Sequence, residues 1–248
     1  RRVSTYENLH NLSPVFRQQV LEEFEGTRLG RQELYGEVLE DVEGSLWKVE
    51  MLHHIEEKEL PHFDRVVVAL DPAGSANARS DETGIIVLGR AGKMIYVLAD
   101  LTDRYSPAGW ANAAHQAVQD FSADAIIAEK NYGGDMVRHT LENTGRQDVR
   151  VILVDSRRGK AIRAEPIVGM YERELVWHVK SHRMGLAKLE TELVEWVPGR
   201  GASPNRVDAL VHGATELVKG FGGPATISDP NILLRGRKSP HNRFLRGR

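Results

Sequence analysis

From Arg65 onward, apolar residues fall into short runs separated by turn chemistry, a pattern that predicts strands alternating with helices. Arg65 to Leu70 is a β-branched run closed by Asp71-Pro72, and its near-continuous hydrophobicity predicts a strand buried on both faces. Gly84 to Arg90 and Lys93 to Leu101, joined at Ala91-Gly92, predict an antiparallel hairpin beside it. Ser106-Pro107 opens an amphipathic helix that runs to Phe121. Asp124 to Glu129 reads as a fourth strand, followed by the loop KNYGG and a helix from Asp135 to Thr144. Val149 to Asp155 reads as a fifth strand, Lys160 to Glu174 as a helix and Leu175 to Val179 as a short edge strand. Helices over Leu186 to Trp196 and Val207 to Val218 complete an α/β sheet of mixed direction.

The flanks differ from this domain. In residues 1–60, Ser13-Pro14 starts a helix whose Val15, Phe16, Val20, Leu21 and Phe24 recur at helical spacing, with Gly26 as a stop. A polar stretch from Gln32 to Glu59 carries Leu46, Trp47, Val49 and Met51, expected to dock on the main domain. The organisation expected is a linker over 1–60, a main domain over 61–222 and a tail over 223–248. No acidic residue follows Asp229, whereas Arg235, Arg237, Lys238, Arg243, Arg246 and Arg248 crowd the end. That tail suits a polyanion or an acidic partner, and equally reads as a solvated terminus.

Composition narrows the chemistry. The chain has no cysteine, so any metal must be held by Asp, Glu, His or backbone oxygen. No apolar stretch approaches the roughly 20 residues of a membrane span, and the start lacks a signal-peptide core. A cytoplasmic protein without a membrane partner is expected.

Three acids occupy comparable positions. Asp71 ends the first strand, Glu129 ends the fourth and Asp208 lies in the first turn of the last helix. Functional groups of open α/β sheets collect at the carboxyl ends of strands. If the first and fourth strands are parallel neighbours, Asp71 and Glu129 share a crevice that the last helix can cover with Asp208. Three converging carboxylates repel one another, and Mg²⁺ or Mn²⁺ relieves that repulsion through oxygen ligands. A pair of such ions suits phosphodiester hydrolysis.

Each acid also has a plainer reading. Asp71 before Pro72 can terminate a strand, Glu129 can cap one, and Asn205 with Asp208 can form a helix-start pair. Asp81, in the polar loop between the first two strands, is a fourth metal candidate or a solvated turn residue. His212 shares the helix face of Asp208 and can tune a metal or simply pack. Arg157, Arg158, Lys160 and Arg163, with Lys130 and Arg206, are candidates for DNA phosphates, or an ordinary solvated face.

VVVALDPAGS…SDETGIIVLG, IIAEKNYGGDMV, RAEPIVGMYERELVWHV and LETELVEWVPG…SPNRVDALVHG follow in order over roughly residues 64–220. Together they resemble the C-terminal nuclease domain of the large terminase subunit of tailed bacteriophages and prophages. TYENLHNLSP and GTRLGRQELYGE look like the segment joining such nucleases to their ATPase. The resemblance implies a ribonuclease-H-like mixed β-sheet flanked by helices, and two-metal cutting of concatemeric double-stranded DNA during packaging. It places the family's acids on Asp71, Glu129 and Asp208, with an additional loop acid on Asp81. Asn205 stands where some relatives carry a histidine, so a general base at that place is not expected. Implied partners are DNA, a portal protein, a small terminase subunit and the ATPase. No GxxxxGK[ST] loop occurs, so a chain without its own ATPase is expected, as a separated or naturally divided piece. A junction resolvase, an RNA–DNA hybrid nuclease, or a docking module without catalysis are the competing readings.

Overall fold

The computed structural model describes residues 41–72, 82–130, 134–144, 149–156, 159–180, 185–201 and 204–219. Its centre is a seven-stranded sheet. In chain order the strands are β1 (His53–Glu56), β2 (Arg65–Asp71), β3 (Gly84–Ala91), β4 (Met94–Asp100), β5 (Ala125–Glu129), β6 (Val151–Val154) and β7 (Val176–Lys180). Their spatial order is β1-β7-β4-β3-β2-β5-β6. The β2–β3 and β3–β4 pairs are antiparallel and the remaining pairs parallel, so the sheet is mixed as expected.

The helices are α1 (Pro107–Asp120), α2 (Gly134–Thr144), α3 (Lys160–Tyr171), α4 (Ala187–Glu195) and α5 (Asn205–Val218). Strand alternation sorts the core into two layers. Val67, Ala69, Ile86, Leu88 and Ile127 face α3, α4 and α5, whereas Val68, Leu70, Ile85, Val87 and Ile126 face α1 and α2. With both faces covered, the central strands are apolar at nearly every position. Ser106 caps α1 as its sequence predicts, its Oγ accepting the Gly109 N–H at 3.1 Å. Gly92 supplies the left-handed residue of the β3–β4 turn, with φ +58°.

Two expectations need correction. Leu175 to Val179 does not form an edge: β7 lies between β4 and β1. The edge is β1, drawn from the polar stretch, with His53 paired to Trp177 and Glu56 to Lys180. Edge position explains the error, because β1 alternates half-buried and exposed residues and carries no apolar run. The same stretch docks through Trp47, fully buried with Leu52 and set edge-on to Tyr171 at 6.0 Å. Second, Asn205 does not cap α5: Pro204 holds that position and provides no side-chain bond. Among the described residues no helix is long and apolar enough to cross a membrane. The helix expected from Ser13 and the basic tail lie outside the described residues.

Candidate functional site

β2 and β5 are parallel neighbours, with Leu70 opposite Ala128. One residue further, Asp71 and Glu129 leave the sheet on the face of Val67, Ala69 and Ile127, which α5 covers. α5 lies tight on that face because Gly213 lacks a side chain; a Cβ there would fall 2.3 Å from Leu88 Cδ1. Asp208, in the first turn of α5, thereby meets both strand-end acids. Asp71, Glu129 and Asp208 are 6%, 6% and 4% exposed, so their charges are nearly removed from water.

The neighbours of the acids come from α3, α5 and the end of β6. Lys160 Nζ donates to Asp208 Oδ2. Arg163 bridges two acids, Nη1 lying 3.5 Å from Glu129 Oε1 and Nη2 3.3 Å from Asp208 Oδ1. His212 Nε2 lies 3.3 Å from Glu129 Oε2, and Ser156 Oγ lies 3.5 Å from the same nitrogen. Burial, the hydrogen bond with Glu129 and the charges of Asp208 and Glu129 hold Asp71 well above the usual carboxylate range, with Lys160 opposing. Burial also acts on Glu129, but hydrogen bonds from His212, Ser156 and Asp71 outweigh it and keep that carboxyl below the usual range. Asp71 and Glu129 therefore act as one coupled pair, in which burial and like charge disfavour ionising both carboxyls at once.

Three buried carboxylates here share a small set of partners, Lys160 and Arg163, with His212 beside Glu129. Arg163 is stretched between two acids while its Nε is buried without a hydrogen-bond partner. A divalent cation suits such a cluster, since its preferred donors are carboxylate oxygens. Among the described residues, no group of three or more His, Asp or Glu side chains stands in an arrangement ready to hold a metal ion. The basic side chains Lys160 and Arg163 fill that role instead, so the donor chemistry fits a metal while the side-chain positions are those of ion pairs.

The other predicted residues divide. Lys130 follows β5 at an exposed position, its backbone N–H bound to Val154 O at 2.7 Å. Lys160 and Arg163 reach the acids directly. Arg206 is a correction: it is 5% exposed and turned away from solvent. Its Nε donates to Asp100 Oδ2 at 2.9 Å, and its Nη1 lies 2.5 Å from Glu82 Oε2 and 3.5 Å from Glu192 Oε2. With Nε and Nη1 held by three carboxylates, this buried guanidinium is committed to the fold rather than presented to solvent. Asp81, Arg157 and Arg158 lie outside the described residues. Ser156 escapes sequence reasoning; only its place directly after a half-buried apolar strand and Asp155 could draw attention to it.

A second ionic cluster is equally silent in the sequence. Glu190 of α4 receives His54 Nε2 and His178 Nδ1, each at 2.8 Å, and Tyr171 Oη lies 2.8 Å from His178 Nε2. Burial opposes ionisation of Glu190, yet the two histidines hold its carboxyl down at about 2.

The family model described as "Terminase RNaseH-like domain" matches residues 68–214. No curated protein matches the sequence. Among solved structures, the nuclease domain of the large terminase subunit gp2 of bacterial virus Sf6 is 15% identical with a TM-score of 0.53. That match covers 67% of this chain and 96% of the other. The large terminase nuclease from thermophilic phage G20c, with bound cobalt, is 13% identical with a TM-score of 0.51, covering 71% and 98%. The large terminase of another thermophilic bacteriophage is 10% identical with a TM-score of 0.52, covering 83% of this chain but 53% of its own.

Proposed function

From the premise that this chain belongs to the terminase RNaseH-like domain family, we propose that it is a divalent-metal-dependent endonuclease cutting double-stranded viral DNA during packaging. The observation that carries the proposal is the buried meeting of Asp71, Glu129 and Asp208 at the carboxyl ends of β2 and β5. The cobalt in the phage G20c nuclease supports the choice of a divalent ion.

Asp71, Glu129 and Asp208 would hold Mg²⁺ or Mn²⁺, two ions in the full reading, with Asp81 as a further candidate ligand. Bound there, the ions supply Lewis acidity and positive charge toward a scissile phosphate. The protein's own groups do the rest. His212 and Ser156 keep Glu129 ionised and oriented. Burial under α5 limits water around the acids, which strengthens every charge interaction there. Lys160 and Arg163 present cationic donors at the same place, suited to DNA phosphates, with Lys130, Arg157 and Arg158 as further contacts. Portal protein, small terminase subunit and an ATPase are the proposed partners, in the host cytoplasm.

The test is plasmid digestion with Mn²⁺, Mg²⁺ or EDTA, for wild type and Asp71→Asn. Cutting in Mn²⁺ that EDTA and the substitution both abolish is the expected result. Digestion by Asp71→Asn at the wild-type rate would remove the assignment. Faster cutting of a junction or an RNA–DNA hybrid than of duplex would change the substrate while keeping the site.

A further inference from the structure

Asp208 can meet Asp71 and Glu129 only if the first turn of α5 is held in place, and no side-chain cap holds it. The helix opens at Pro204 without a side-chain cap. We infer that Asn205 and Arg206 are positioning residues of the acidic site, clamping the first turn of α5 to β3, β4 and α4 so that Asp208 sits over Asp71 and Glu129. The inference rests on the nuclease reading only for its effect on metal; the clamp itself is a matter of geometry.

Four contacts make the clamp. Asn205 Nδ2 donates to the backbone carbonyl of Glu82 at 2.7 Å, just before β3. Arg206 spreads its guanidinium over Glu82, Asp100 at the end of β4, and Glu192 of α4. Glu192 then accepts the backbone N–H of Val207 at 3.0 Å, satisfying one of the donors a missing cap leaves open. Finally, Gly84 lets the backbones touch: a Cβ there would fall 2.1 Å from Asn205 O. Gly84 is the cross-strand partner of Asp71, so the clamp and the acid share one register position of the sheet. A shift of the first turn of α5 is therefore a shift of Asp208 relative to Asp71, because Gly84 pairs with Asp71 and abuts Asn205.

A purely structural ion pair would set stability and leave the metal requirement untouched. A positioning clamp predicts more. Supporting residues around metal ligands typically change metal affinity by about 10–100-fold when removed. The experiment compares wild type with Asn205→Ala, Glu82→Gln and Arg206→Lys. Mn²⁺ binding to the DNA-free protein is followed by electron paramagnetic resonance, alongside the Mn²⁺ dependence and the DNA KM of cutting. Asn205→Ala and Glu82→Gln, which leave Asp100 and Glu192 on Arg206, should fold. They are expected to need about tenfold more Mn²⁺ for both binding and cutting, with the DNA KM within about twofold. Arg206→Lys keeps the charge but loses the planar fork, and is expected to show the same defect rather than rescue.

Amide exchange reads the clamp without metal. The Val207 and Asp208 amides, bonded to Glu192 and to Pro204 O, should exchange at least about tenfold faster in Asn205→Ala, while Leu210 to Leu217 stay protected. Unchanged exchange at Val207 and Asp208, or an unchanged Mn²⁺ requirement in variants that bind the ion, overturns the inference. A wild-type protein that neither binds Mn²⁺ nor cuts overturns the nuclease reading instead, and exchange still decides the clamp.

Discussion

Two buried ionic clusters sit on the same face of the sheet and resolve their charge in opposite ways. Around Glu190, one carboxylate is met by His54 and His178, and every contact in the chain to Tyr171 is 2.8 Å. Around Asp71, three carboxylates share Lys160, Arg163 and His212, and the Arg163 and His212 contacts lengthen to 3.3–3.5 Å. One cluster pulls its single acid down to about 2; the other holds Glu129 below the usual range but pushes Asp71 well above it. Satisfied buried charge organises a fold, whereas charge left over at strand ends asks for something from outside. That difference supports the proposed division of roles, structure for the first cluster and chemistry for the second.

The contrast can be broken by exchanging the damage. Asp208→Asn should lower cutting in Mn²⁺ by about 10²–10³-fold or more, since one of the charged donors at the reacting phosphate is lost. Its melting temperature should change little, because the ion pairs lost from Lys160 and Arg163 offset the relief of repulsion on Asp71. Plasmid digestion and calorimetry on the same sample check both, and a folded variant with wild-type cutting would erase the distinction. Glu190→Ala should do the reverse, costing about 3–5 kcal/mol in urea unfolding while the folded fraction still cuts.

Acid sharpens the comparison further. The Glu190 carboxyl is depressed in the folded state, from 4.5 to about 2. Its contribution is therefore present above the unfolded value and is lost as pH falls from about 4.5 toward 2. Asp71 is raised, so it works in the other direction: stability falls as pH climbs above 3.8, its ordinary value, toward the folded one. Unfolding free energies between pH 7 and 2.5 should show a steep acid loss in wild type that Glu190→Gln flattens. A Glu190→Gln profile parallel to wild type would contradict the assignment.

The smallest effect concerns the surface that carries Asp208. Gly213→Ala should cost about 1–3 kcal/mol by overpacking, because the added Cβ meets Leu88 and Ala69 at 2.3 and 2.8 Å. Gly159→Ala, with nothing within 4 Å of the added Cβ, serves as the control and should show no overpacking cost.

Read from the amino-acid sequence, the central strands, the hairpin and the helices came out close to their observed bounds, because a strand covered on both faces must be apolar at nearly every position. The three acids were legible for the same reason: a carboxylate ending such a run is conspicuous. The edge strand β1 was not, since an edge needs only alternate burial and its HHIE looks like loop. Arg206 carried no local mark either. Whether a basic residue faces solvent or three carboxylates depends on Glu82, Asp100 and Glu192, brought together by β3, β4 and α4 from far along the chain. Local pattern determined which segments form strands and helices, because burial of one or both faces is written into residue spacing. Which charges meet was decided only by tertiary packing, because Coulomb energy depends on distance through space and the chain records distance along itself.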